Sequence, residues 1–148
     1  MEQNSKIKFA VIGQGHIGKR HAEMVRRNAD CELVAVCDEL PKEKLGLESL
    51  KENFYGSVDE LLAAHPEIDV VNVCTPNGLH AEHALKALKQ NKHVVVEKPM
   101  ALSKADCEKI IFKALQVSKQ IFCVMQNRYS PPSLWIKEVI ESQVIGEI

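Results

Sequence analysis

The segment Gly13-Gln14-Gly15-His16-Ile17-Gly18 constrains this chain more than any other. Its G-x-G-x-x-G spacing is weak alone. Here it directly follows the apolar run Ile7-Lys8-Phe9-Ala10-Val11-Ile12 and opens a helical pattern with Ile17, His21, Met24 and Val25 on one face. The residue types fit a strand that turns sharply into a helix. Gly13 permits the tight turn, Gly15 leaves the backbone bare, and Gly18 lets helix and strand pack closely. Such a turn presents free backbone N–H groups at a helix N-terminus, where the helix dipole favours an anion.

The rest of the chain repeats the same alternation. Further β-rich runs are Leu33-Val34-Ala35-Val36-Cys37, the short Phe54-Tyr55, Val70-Val71-Asn72-Val73-Cys74, Val94-Val95-Val96 and Ile121-Phe122-Cys123-Val124-Met125. Several are continuously apolar, as in strands covered on both faces. Helical patterns lie between them. Ala81, Ala84, Leu85 and Leu88 share one face, and so do Cys107, Ile110, Ile111, Ala114 and Val117. Ser57 with Glu60, and Ser103 with Asp106, have capping-box spacing. The alternation predicts right-handed βαβ units in a doubly wound α/β Rossmann sheet of order 3-2-1-4-5-6. The core spans about residues 6–126, and 127–148 begin a connection onward. Pro131-Pro132 opens a last helix over 133–143, and Gly146-Glu147-Ile148 reads as the start of another strand.

Composition removes other classes. With 148 residues, 45% hydrophobic, the chain is long enough to bury an independent core. A formal net charge of -1 gives no electrostatic case for nucleic acid or an anionic membrane. No apolar run approaches the roughly 20 residues that span a bilayer. The polar opening Met1 to Ser5 lacks the apolar stretch of a secretory leader, so a cytoplasmic location is expected. The five cysteines include no Cys-x-x-Cys and read as small thiols of a reducing compartment.

Chemistry-bearing residues fall where strands end. Asp38 closes the second strand, 20 residues after Gly18, where an acidic side chain hydrogen-bonds the ribose hydroxyls of a dinucleotide and repels a 2′-phosphate. Glu39 follows it, and Lys42 and Lys44 are the nearest cations in sequence, so NAD is favoured over NADP. The fourth strand ends in Thr75-Pro76-Asn77-Gly78. This segment can border the nicotinamide-side ribose, or Asn77 can simply cap a helix. His80 and His83 are spaced to share a metal ion, but no third ligand accompanies them and no metal is expected. His21 reads as a packing histidine on the apolar face of the first helix. Glu97-Lys98-Pro99 puts charge directly after a buried strand. Lys98 there can stabilise a developing alkoxide, and burial would lower its pKa enough to exchange a proton. The alternative is a surface pair at a strand exit. Pro99 is a candidate for a cis peptide that would aim Lys98.

In order and spacing these segments resemble the glucose-fructose oxidoreductase / inositol dehydrogenase / MocA family. The resemblance runs from Lys8 to Ile148. It rests on the glycine turn with His21, on Asp38, on Cys74-Thr75-Pro76-Asn77 with His80, and on Glu97-Lys98-Pro99-Met100. It implies a dehydrogenase moving hydride between a sugar or cyclitol hydroxyl carbon and NAD. The implied cofactor residues are Gly13, Gln14, Gly15, His16, Ile17, Gly18, Asp38, Thr75, Pro76, Asn77, His80, Glu97, Lys98 and Gln126, with Lys98 catalytic. The loop Gln126-Asn127-Arg128-Tyr129 resembles that of members acting at C3 of nucleotide-linked amino sugar acids, the UDP-N-acetylglucosaminuronate 3-dehydrogenases. It makes Asn127 and Arg128 candidate substrate contacts. Family members continue past a Gly-Glu-Ile segment into an α/β substrate domain that carries an acid/base residue and much of a homo-oligomer interface. That domain is expected to be absent from this chain, which stops at Ile148. Two alternatives within the same motifs are an NAD-dependent glycosidase without net redox and a non-catalytic NAD-binding sensor.

Overall fold

The computed structural model describes residues 5–147; the polar opening Met1 to Asn4 and the final Ile148 lie outside them. Among the described residues six strands form one parallel sheet in the order β3-β2-β1-β4-β5-β6. They are β1 (Ile7–Ile12), β2 (Cys31–Cys37), β3 (Asn53–Tyr55), β4 (Val70–Val73), β5 (His93–Val96) and β6 (Ile121–Cys123). The helices are α1 (His16–Arg27), α2 (Lys42–Leu45), α3 (Val58–Ala64), α4 (His80–Lys89), α5 (Lys104–Gln116) and α6 (Pro131–Glu141). The expected strand order is the observed one.

The crossover from β3 through α3 to β4 moves the chain from one face of the sheet to the other. Ala10, Ile12, Val71, Val73, Val94 and Val96 pack under α3, α4 and α5, where Leu61, Ala84, Leu88, Ile110 and Ala114 meet them. On the opposite face Val11, Leu33 and Val36 pack with Ala22 and Val25 of α1. Alternate residues of one strand thus serve two cores, which is why the strands read as unbroken apolar runs. Leu61, Leu88 and Ile110 are fully buried, and truncating one to alanine removes about 2–5 kcal/mol.

Several boundaries differ from the sequence reading. β2 starts at Cys31 rather than Leu33, and β6 stops at Cys123. The last helix starts at Pro131, two residues before the expected Ser133, because a first-turn N–H has no intrahelical partner to lose. Ser103 accepts from the backbone N–H of Asp106 at 3.1 Å as its capping spacing predicts, whereas Ser57 makes no side-chain cap. Gly146 and Glu147 are not in a strand. The apolar face expected of α1 is also shifted. Gly18, Ala22 and Val25 are buried, while Ile17 and Met24 are exposed. Small side chains sit where the helix lies closest to β1, and the larger ones turn toward the carboxyl edge of the sheet.

Candidate active site

Parallel pairing sets Ile12 beside Val73, Val73 beside Val96, and Val96 beside Cys123. The loops that follow β1, β4, β5 and β6 therefore leave the sheet together at one edge. Gly13, Cys74, Glu97 and Val124 are the first residues beyond these strands.

The glycine turn is built by close contact. Gly13 has φ +85°, and a Cβ there would lie 2.7 Å from the Cys74 carbonyl. A Cβ on Gly18 would lie 1.7 Å from the Gly13 oxygen. Gly15 differs: a Cβ there would meet nothing within 4 Å. Nothing in the folded chain requires Gly15 to be bare, so its missing side chain leaves room for something outside the chain. The Gln14 side chain is buried and donates to the Val11 and Gly13 carbonyls at 3.2 and 3.3 Å. The side chain braces the turn and lines neither of the two clefts described below.

Asp38 is fixed on both oxygens. The backbone N–H of Gln14 donates to Oδ2 at 2.6 Å, and that of Leu40 donates to Oδ1 at 2.9 Å. Beside it opens a cleft of about 590 Å³ lined by Gly15, His16, Asp38, Leu40, Thr75 and Leu79, among others. One cation in this cleft escaped the sequence reading. Lys86 of α4 lies in it, held by Asp59 at 2.9 Å and Glu82 at 3.1 Å. Lys42, by contrast, sits over the Phe54 ring. His83 lines the same cleft, its Nδ1 3.1 Å from the Thr75 hydroxyl, and burial pushes its pKa below the ordinary value.

A second cleft of about 480 Å³ opens across the turn and shares Ile17 and Thr75 with the first. Asn77, His80, Glu97, Lys98 and Gln126 line it, as their strand-end positions predict. Asn77 makes no helix cap. The Lys98–Pro99 peptide is cis. Lys98 is exposed at the cleft mouth, so the burial expected to tune it is not present. His80 is buried, with Nδ1 2.7 Å from the Pro99 carbonyl and Nε2 2.8 Å from that of Thr75. It ties the β4 and β5 loops together and leaves no ring nitrogen free for a ligand. Pro76 borders the first cleft, not the second. Asn127 and Arg128, in a 3-10 turn over Gln126–Tyr129, are exposed and line neither cleft.

His21 is mostly buried, as a packing histidine would be, but its partners are polar. It faces Glu97, with Nε2 3.1 Å from Oε1, and Asn72 lies 3.2 Å from its Nδ1. The signal was the polar Asn72 inside an apolar strand, which had to find a partner. Arg20 also lines this cleft and was not anticipated. Cys37 and Cys74 are buried free thiols, each pushed up to about 12, chiefly by burial. Among the described residues no group of His, Cys, Asp or Glu is arranged to hold a metal ion, and no helix is long and apolar enough to cross a membrane.

Comparison with known proteins accords with this edge. A D-glucoside 3-dehydrogenase of Escherichia coli is 34% identical over 152 residues, covering 98% of this chain and 42% of that protein. A myo-inositol 2-dehydrogenase of Thermotoga maritima is 30% identical, covering 95% and 42%. The structure of the WlbA dehydrogenase from Bordetella pertussis, in complex with NADH and UDP-GlcNAcA, superposes with a TM-score of 0.88 at 30% identity, covering 97% of this chain and 44% of that one. The chain thus spans less than half the length of these relatives. The profile of the Gfo/Idh/MocA family, described as an oxidoreductase family with an NAD-binding Rossmann fold, matches residues 7–125. With a glycine turn, an anchored Asp38 and Glu97-Lys98 at one sheet edge, the chain belongs to the Gfo/Idh/MocA oxidoreductase family.

Proposed function

We propose that this chain binds NAD along the carboxyl edge of its sheet and is the cofactor-holding part of a dehydrogenase. That enzyme would move hydride between a sugar or cyclitol hydroxyl carbon and nicotinamide. The observation that carries the proposal is the bare space at Gly15 in the first cleft, beside the wall of Ile17 and Thr75 that this cleft shares with the second. That is room for a pyrophosphate between an adenosine and a nicotinamide.

The residues present fit the group. Backbone N–H groups at the start of α1 face the phosphates, with the helix dipole behind them. Asp38 accepts from ribose hydroxyls while its two backbone donors hold it in place. Lys86 is neutralised by two carboxylates, so it offers little to a 2′-phosphate, and the preference for NAD stands. When bound, the nicotinamide supplies a hydride acceptor. Thr75, Asn77 and Gln126 orient ligands in the second cleft. Lys98 donates to the reacting hydroxyl and stabilises negative charge developing on its oxygen. A substrate carrying a carboxylate, as in nucleotide-linked amino sugar acids, would meet two cations there, Arg20 and Lys98.

Calorimetry tests the reading directly. The chain binds NAD more tightly than NADP, and Asp38→Ala weakens NAD on the order of tenfold while narrowing the preference. Tighter binding of NADP to the unaltered chain would refute the Asp38 argument. The chain alone is expected to bind NAD without oxidising a sugar, read as no growth of nicotinamide absorbance.

A further inference from the structure

Asn72 sits mid-strand between Val71 and Val73, only 5% exposed. A buried amide in an apolar sheet costs free energy unless both its ends are bonded. Here only one is. The amide nitrogen donates to His21 Nδ1, and Oδ1 has no partner among the described residues. That bond leaves Nδ1 bare and puts the ring proton on Nε2, which donates to Glu97 Oε1. The second oxygen of Glu97 accepts from the backbone N–H of Lys98 at 3.3 Å.

The same three side chains accommodate a second proton. Turning the Asn72 amide over presents Oδ1 to Nδ1. A doubly protonated His21 then donates to Asn72 from one nitrogen and to Glu97 from the other. Oδ1 becomes bonded and the amide nitrogen gives up its partner, so one end of the amide is bonded in either state, and the bond to Glu97 persists in both. His21 is 15% exposed in its side chain, at the wall of the second cleft, so the proton comes from solvent.

We propose that Asn72, His21 and Glu97 form a proton-holding unit behind Lys98, in which His21 is a positioning residue for Glu97 and gains a proton when the nicotinamide ring is reduced. The proposal rests on the reading that NAD occupies this edge. Oxidised nicotinamide carries a positive charge and the reduced ring none. An imidazolium in the cleft wall therefore disfavours the oxidised form, and by linkage the oxidised ring disfavours the imidazolium. The other charged or titratable groups facing the cleft are Arg20 of α1, Lys98 after β5 and the ring of His80, whose two nitrogens face carbonyls that can only accept. The Cys74 thiol, pushed up to about 12 chiefly by burial, stays neutral.

Two measurements on this chain test the unit. The first is the ratio of NADH to NAD affinity between about pH 5.5 and 8, the range in which histidine changes charge. The ratio should rise as pH falls, by about threefold or more, and lose that slope in His21→Gln, whose amide still donates to Glu97. The remote His93→Gln keeps the slope. A flat ratio in the unaltered chain, or a slope that survives in His21→Gln, overturns the proposal. The second is the NMR titration of the His21 ring without cofactor, which Glu97→Gln should displace to lower pH by removing the carboxylate. An unmoved titration overturns the unit even if cofactor binds. If the His21 titration moves as expected but neither cofactor form binds, the NAD reading is what fails, and the link to the ring fails with it.

Discussion

Gly13, Gly15 and Gly18 share one motif and three different physical reasons. The first needs a positive φ, the third needs the space occupied by a carbonyl oxygen, and the second needs nothing from its own chain. Substitution should separate them. Gly18→Ala must displace the Gly13 carbonyl and is expected to lower stability by about 2 kcal/mol or more in urea unfolding. Gly15→Ala should leave the unfolding midpoint nearly unchanged and still weaken NAD binding, since its cost appears only when a phosphate approaches. Equal stability losses in the two variants would contradict this assignment. These roles were readable from the motif because turn geometry depends on three adjacent backbone units. The braced side chain of Gln14 was not readable, since its acceptors, the Val11 and Gly13 carbonyls, become available only once the turn is formed.

At the level of elements, β1, β4 and β5 were legible because a strand covered on both faces has to be apolar throughout. The facing of α1 was misjudged, and the reason is physical. Periodicity finds the apolar stripe, but helix–sheet distance decides whether a small or large side chain occupies it. Gly18 and Ala22 took the contact, leaving Ile17 and Met24 at the cleft. His21, on the same side of the helix, is held in the cleft wall by Glu97 and Asn72, a packing histidine whose partners are polar. Element α4 carries a pH dependence of its own. Burial lowers the pKa of His83, so the folded state prefers the neutral ring. The unfolded chain binds the extra proton first as pH drops, so the contribution is present above the unfolded histidine value, roughly 6.5, and is lost as pH falls below it. Thermal melts between about pH 7 and 5 should show stability declining, and His83→Asn should remove part of that decline.

Across the whole molecule the sheet is covered unequally. Among the described residues, helices α3, α4 and α5 cover one face, while on the other α1 packs over β1, β2 and the end of β4, with Leu50 beside it. Phe122 of β6 is left exposed, as are Leu134, Trp135 and Ile136 of α6. Sequence patterning placed these elements but not their cover, because an apolar residue carries no label for what it packs against. The functional edge is better defined. Its two clefts adjoin at Ile17 and Thr75, and that shared wall makes the proposed site bipartite. Adenosine monophosphate and nicotinamide mononucleotide should then bind side by side without competing, each weakly. NAD joins them through one pyrophosphate linkage, so the second half binds at a local concentration in the millimolar range or above. Its affinity should exceed either half alone by a factor on the order of 100 or more. Competition between the two halves in calorimetry would mean that one cleft, not two, is in use. The wall at Ile17 and Thr75 makes this edge a two-point reader, selecting for the tether between two nucleotides as much as for either nucleotide.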